Sequence, residues 1–224
     1  MSIKIYRKSL CCLICGLIFI IGVNSLIYAE ESDPILEFYV KRGNSVFSSR
    51  NPLERAVNYS FMAKTYYKKI DNKGEAKKID SAFSTHYYSF GQLDSLIWDS
   101  LKTSKFVEFE YEPPNVFDMN YMYNFYPNDT GAIDLPIGFD VDSTNFEDPI
   151  GFVIIDRNLY FMKWLYLHYP HEVSHKRYSR SFRFTNIDNY IFPDSIWVVG
   201  AKRGIFSAEN YRIETGIYNI EIYH

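Results

Sequence analysis

Gly151–Pro170 reads Gly-Phe-Val-Ile-Ile-Asp-Arg-Asn-Leu-Tyr-Phe-Met-Lys-Trp-Leu-Tyr-Leu-His-Tyr-Pro. Gly151–Asp156 is apolar and β-branched, Arg157-Asn158 breaks the run, and Leu159–Tyr169 resumes it with alternating aromatic and aliphatic side chains. That is the pattern of a strand, a two-residue turn and a longer strand. Successive side chains of a strand point to opposite faces. Tyr160, Met162, Trp164 and Tyr166 are therefore expected on one face, and Leu159, Phe161, Leu165 and Leu167 on the other. Antiparallel sheets commonly leave one face wet. A strand apolar on both faces demands cover on both, from a second layer, a helix or an apolar ligand.

The rest of the chain extends this β pattern. In Ala56–Ile70, Val57, Tyr59, Phe61, Ala63, Thr65 and Tyr67 share one face, a period of two. Asp71-Asn72-Lys73-Gly74 is a hairpin turn, with Gly supplying positive φ. Glu75–Ser89 returns as the partner strand, with Ile79, Phe83, Thr85 and Tyr87 on one face. Leu93–Leu101 fits a helix or a short strand at Leu96–Trp98, and Phe106–Tyr111 alternates again. Asn115–Pro149 is rich in Asn, Asp and Pro, with short strands expected at Tyr121–Phe125 and Ile137–Asp140. Tyr169–Ser174 reads as a turn, then Lys176–Thr185 and Tyr190–Ala201 as strands, and Ile205–Tyr223 as a last strand or pair of strands. Ahead of all this, Asp33-Pro34 opens a short helix carrying Ile35, Phe38 and Tyr39, which should stop near Gly43 and leave Asn44–Pro52 as a loop. The count is nine to eleven strands in consecutive hairpins with one or two short helices, and no βαβ alternation. The aromatic share of 18%, with 20 Tyr and 18 Phe, suits half-buried pleated surfaces.

Met1–Ala29 reads as a secretory signal peptide, with Lys4, Arg7 and Lys8 ahead of the uncharged apolar run Leu10–Val23. That run is shorter than the ~20 apolar residues a helix needs to span a bilayer. An uncleaved anchor is the alternative. The three cysteines, Cys11, Cys12 and Cys15, all lie in this segment, so an exported chain would depend on packing without disulfides. Residues 30–52 then form the helix and loop, and 53–224 a single β domain. Removing the three cations of the leader takes the formal net charge from −3 to −6, which argues against nucleic-acid binding.

Motifs that carry chemistry are few. His168, His171 and His175 could gather as zinc ligands with Glu172 as base, but they fall at a strand end, in a turn and at a strand start. Asp140/Asp142 and Glu147/Asp148 are acidic pairs without the spacing of a calcium loop. No nucleophile elbow, phosphate loop or dinucleotide fingerprint is present.

The C-terminal half has a distinctive order: Gly151-Phe152-Val153-Ile154-Ile155-Asp156, a long hydrophobic strand, a basic aromatic strand, Pro193-Asp194-Ser195-Ile196-Trp197-Val198, and Tyr211-Arg212-Ile213 in the closing strand. Together with the hairpin Ala56–Ser89, this order resembles the periplasmic lipoprotein-carrier and outer-membrane lipoprotein-sorting proteins over residues 53–222. The resemblance implies a strongly curved antiparallel sheet, an unclosed half-barrel, whose concave face takes acyl chains.

The expected function is thus an exported, non-enzymatic protein of the periplasm or envelope that binds lipid or lipoprotein acyl chains, without cofactor or metal. The ligand is expected on the apolar sheet face at Phe61, Tyr160, Met162, Trp164, Tyr166 and Trp197. The second face of Leu159–Tyr169 is expected to lie under the Asn115–Pro149 segment. Two other functions compete: an envelope protein-interaction or stress-sensor module, and a metal-dependent hydrolase on the histidine cluster.

Overall fold

The computed structural model describes residues 33–71, 73–101, 111–117, 121–125, 133–141, 148–173, 176–203 and 208–223. The expected leader and residues 106–110 of the Phe106–Tyr111 alternation lie outside them. The chain divides between Glu37 and Phe38 into two units. Of the first, residues 33–37 are described, and they open helix α1 (Pro34–Arg50). The second carries the rest of α1 and ten strands: β1 (Asn58–Ile70), β2 (Ala76–Ser89), β3 (Gln92–Leu101), β4 (Tyr121–Phe125), β5 (Asp134–Val141), β6 (Ile150–Asp156), β7 (Met162–Val173), β8 (Lys176–Ile187), β9 (Tyr190–Arg203) and β10 (Ala208–Tyr223).

The strands form one antiparallel sheet in the order β3-β2-β1-β10-β9-β8-β7-β6-β5-β4. It is mainly a meander of hairpins, as the sequence predicts. The exception is the long-range pairing of β1 with β10, from Asn58↔Tyr223 to Ile70↔Asn210. No described strand joins β3 to β4, so the sheet is unclosed. Turn chemistry sets several of the hairpins. Gly74 takes φ +84° between β1 and β2. Phe90-Gly91 and Asp188-Asn189 have positive φ at both central residues, the two-residue turn whose twist matches the strands.

Helix α1 begins as read. The Asp33 carboxylate accepts a hydrogen bond from the Ile35 N–H at 2.9 Å, and Pro34 occupies the first turn. It does not stop at Gly43 but runs on through the stretch expected as a loop. Gly43 is a point of close approach: a Cβ there would lie 2.8 Å from the Phe117 ring. The helix accepts the ~1 kcal/mol cost of an interior glycine for that contact.

The opening stretch folds with one correction. The Asp156 carboxylate accepts from the Asn158 and Leu159 N–H groups, each at 2.9 Å, and so builds the turn after β6. Tyr160 follows with φ +57°, inside the turn rather than in a strand. Ile155 then pairs with Met162 and Ile154 with Trp164, which leaves Lys163 as a bulge. The bulge breaks the period of two. Met162 joins Leu165 and Leu167 on the buried inner face, while Trp164 and Tyr166 point to the outer face. Lys163 is free to turn aside because Asp134 and Asp156 both bind its ammonium. The strand also continues to Val173, through the residues expected as a turn.

Two further expectations are corrected. Leu93–Leu101 takes the strand alternative and not the helix, and that strand is longer than the expected Leu96–Trp98, running from Gln92 to Leu101 beside β2. In β2 the face bearing Ile79, Phe83, Thr85 and Tyr87 is the outer one, with Ile79 57% exposed. The inner residues are Ala82, Ser84, His86 and Tyr88, because β1 sets the register through Tyr59↔Tyr88 and Phe61↔His86.

The inner face is the core. Val153, Ile155, Leu165, Leu167, Phe182, Ile196 and Ile137 are among its most buried side chains. It is roofed by α1, whose Phe47 faces Tyr59 and Phe61, and by residues 111–117, whose Val116 and Phe117 are buried. The start of the Asn115–Pro149 segment therefore lies over the inner face, and β4 and β5 extend the sheet itself. The described part of that segment is not a cover for the outer face.

Gly151 tests the register. A Cβ there would meet the Tyr166 carbonyl oxygen at 1.9 Å. Gly151→Ala should lower unfolding free energy by about 2 kcal/mol or more, seen as a lower urea midpoint at unchanged slope. Gly216→Ala, with no atom within 4 Å of its Cβ, should leave the midpoint in place.

Candidate functional site

Strand alternation puts Tyr59, Phe61, Ala63, Thr65 and Tyr67 of β1 on the inner face, beside Ile213, Thr215 and Ile217 of β10 and the inner residues of β2. At one end this surface is aromatic. Tyr59 stacks on Tyr88 at 4.5 Å, Phe192 meets Tyr59 edge-on at 5.2 Å, and Phe61 stacks on His86 at 4.6 Å. Between these rings and the roof lies a cavity of about 30 Å³, lined by Phe47, Leu53, Tyr59, Phe61, Tyr111 and Phe192 among others. It has room for water, whereas ligand pockets run to ~300–1,000 Å³. In this closed arrangement the protein's own side chains fill the inner face.

Beside the cavity the face turns polar. Thr65 Oγ1 and Thr215 Oγ1 are 2.9 Å apart across the β1–β10 ladder. Ser84 Oγ lies 3.0 Å from His86 Nε2. The Tyr111 hydroxyl, coming from the roof, is pushed up by burial, and the Thr65 and Ser84 hydroxyls that it faces offset part of that rise. His86 is 1% exposed, and its Nδ1 has no hydrogen-bond partner among the described residues. Burial drives its imidazole down from 6.5 to about 4, because desolvation disfavours the charged ring. Burial likewise pushes the Tyr59 and Tyr88 hydroxyls up, with the charges of Tyr88 and Glu112 adding at Tyr59 and those of Glu112 and Tyr111 at Tyr88. Serine beside histidine has the outline of a nucleophile and its base. Here both are sealed from solvent and the imidazole is a weak base, so the pair acts as a hydrogen-bonding contact.

Hydrogen bonds tie the roof to its surroundings. Asn115 Nδ2 donates to Asn44 Oδ1 of α1 at 2.8 Å, and the Tyr123 hydroxyl of β4 donates to the Val116 carbonyl at 2.8 Å. Phe38 and Tyr39 of α1 touch Tyr160 at ring distances of 5.9 and 6.0 Å.

The outer face differs. Trp164 stacks on Trp197 at 5.1 Å, and Phe152 on Tyr166 at 5.3 Å, all half-buried. An open groove of about 690 Å³ runs beside the second pair, with Asn124, Asp140 and His168 on its walls.

The six side chains expected to meet a ligand are thus not brought together. Phe61 and Met162 lie on the inner face, Trp164, Tyr166 and Trp197 on the outer, and Tyr160 in the turn under α1. His168 Nδ1 lies 2.9 Å from Ser179 Oγ on the outer face. His171 is within β7, and His175 lies outside the described residues. Among the described residues no group of three His, Cys, Asp or Glu is placed to hold a metal ion. Sequence reasoning missed His86, Ser84, Thr215 and Tyr111. The small and polar inner set of β2 is what hid the first two, because hydrophobicity pointed to its outer face.

Solved structures similar to this chain include a putative outer membrane lipoprotein-sorting protein domain from Vibrio parahaemolyticus, at 9% identity and a TM-score of 0.46, covering 82% of this chain and 93% of that one. A DUF1329 family protein from Desulfovibrio piger matches at 12% identity and a TM-score of 0.47, covering 82% and 92%. A LolA superfamily protein from Nitrosomonas europaea matches at 8% identity and a TM-score of 0.40, covering 84% and 94%. The kinds of protein that the strand order resembles are therefore among the structural neighbours. No family model matches the chain, and no curated protein matches it.

The buried imidazole has a measurable signature. Unfolding returns His86 to its ordinary 6.5, so the unfolded state binds the extra proton. Its share of stability is whole above pH 6.5 and lost as pH falls from 6.5 through 4. The full loss corresponds to about 3 kcal/mol. His86→Phe, which keeps a ring on Phe61, should flatten that part of the stability-against-pH curve in urea titrations. An unchanged slope would place its source elsewhere.

Proposed function

We propose that this chain is an exported, non-enzymatic binding protein of the periplasm, which takes lipid or lipoprotein acyl chains on the inner face of its unclosed sheet. One observation carries the reading: an apolar face built from many strands is roofed, among the described residues, by one helix and one irregular segment. Floor and roof differ in how they are held. Among the described residues the floor is knit by backbone ladders, and the roof by side-chain packing and side-chain hydrogen bonds such as Asn115 to Asn44 and Tyr123 to Val116. An acyl chain needs far more room than the present cavity. The roof is the part that can move to make it, and the inner residues Phe61, Met162 and Leu165 are the floor the chain would meet.

A second reading, an envelope protein-interaction module, draws on the outer face with its half-exposed Trp164–Trp197 and Phe152–Tyr166 stacks.

Native mass spectrometry of protein purified from envelope extracts should show bound lipid. Leu165→Ser, on the inner face, should cost about 3 kcal/mol of stability and reduce the lipid-bound fraction. Trp164→Ser, on the outer face, should leave that fraction unchanged while weakening capture of any protein partner. Equal effects of the two on bound lipid would overturn the inner-face reading. Bare protein together with partner binding lost only in Trp164→Ser would favour the second.

A further inference from the structure

The inner face is apolar over most of its width, yet it keeps a compact polar nest on three adjacent strands. Thr65, Ser84, His86 and Thr215 are each no more than 3% exposed. Buried polar groups are costly unless hydrogen-bonded, and apolar side chains of similar size would fill the same space. The Thr65–Thr215 and Ser84–His86 contacts each use part of the nest's capacity. One group from outside the sheet, the Tyr111 hydroxyl, faces Thr65 and Ser84. One nest atom, His86 Nδ1, has no hydrogen-bond partner among the described residues.

Tyr111 enters as an amphiphile would. Its ring lies on apolar and aromatic surface, 5.7 Å from Phe61 and edge-on to His86 at 4.4 Å, and its one polar tip reaches the hydroxyls. It belongs to residues 111–117, which form no strand, and it lines the small cavity beside the nest.

We propose that the nest at Thr65, Ser84, His86 and Thr215 is a subsite for the uncharged polar end of an acyl lipid, an ester or hydroxyl group, and that Tyr111 is the internal plug that occupies it when the protein is empty. This rests on the reading that acyl chains lie on the inner face. The chemistry of the nest sets the ligand class. Hydroxyls and a neutral imidazole can donate to an ester carbonyl and accept from a glycerol hydroxyl. The nest itself offers no cation, so a carboxylate or phosphate would lose its water without a counter-charge. A bare hydrocarbon would displace Tyr111 and leave Thr65 and Ser84 short of partners, so it is disfavoured against an ester of equal length.

Displacement of Nile red from the full chain tests this, with monopalmitoylglycerol, palmitate and hexadecane as competitors. The wild type should rank monopalmitoylglycerol first. Tyr111→Phe keeps the ring but removes the hydroxyl that either occupant must displace, and should make monopalmitoylglycerol and hexadecane each about tenfold more effective, the worth of one to two net hydrogen bonds. Thr65→Val in the otherwise wild-type chain should narrow the preference for the glycerol ester over hexadecane. If Tyr111→Phe shifts no competitor, or Thr65→Val leaves the ranking intact, the nest is not a subsite plugged by Tyr111 and the proposal is overturned. Palmitate ranking first would also overturn it. If no competitor displaces the dye from any variant, the inner-face reading fails, and the subsite with it.

Discussion

Everything in this fold hangs on the ladder between β1 and β10. The other strand pairings join sequence neighbours across hairpins or short connections. This one joins segments some 150 residues apart, with Thr65 bonded to Thr215 at its centre. Without it there would be two smaller sheets, β1–β3 and β4–β10, each with an uncovered edge and a fragment of apolar face. With it the inner face is continuous from His86 to Ile137, and a single roof can lie over it. Loop-closure entropy makes such a pairing slow and costly to form. Its return is the burial of Tyr59, Phe61, Ala63 and Ile217 against one another and the roof.

The polar nest sits on this ladder, which is an unusual place for it. A central strand pair of a dry face normally carries the most apolar residues. Here the Thr–Thr contact and the Ser84–His86 pair give the centre a hydrogen-bonding character while the surroundings stay aromatic. The low basicity of His86 follows from the same geometry, since a ring stacked on Phe61 and edged by Tyr111 has little water to stabilise its charge. Floor and roof meet at this point, where the Tyr111 ring lies edge-on to His86.

Much of this was legible residue by residue. The β1 face, the Gly74 turn and the strands at Tyr121–Phe125 and Ile137–Asp140 follow from period-two patterning and turn chemistry. The errors also have physical causes. Lys163 looks like one polar residue in an apolar strand, and only its ion pairs with Asp134 and Asp156 reveal a bulge that reverses the faces on either side. Gly43 looks like a helix stop, and only the approach of Phe117 shows why a helix would tolerate it. In β2 the larger side chains lie outside and Ala82, Ser84 and His86 inside, so hydrophobicity misleads.

The sequence by itself determined the fold class: alternation, hairpin turns and the lack of any βαβ alternation leave an antiparallel sheet as the economical solution. Alternation is a local property, set by the geometry of the backbone. Which face is inside is not local. Tertiary structure alone decided it, through the β1–β10 register, the bulge at Lys163 and the roof that covers one side. For that reason Trp164 and Met162, two residues apart, end on opposite faces, and His86 ends beneath Tyr111 instead of in water.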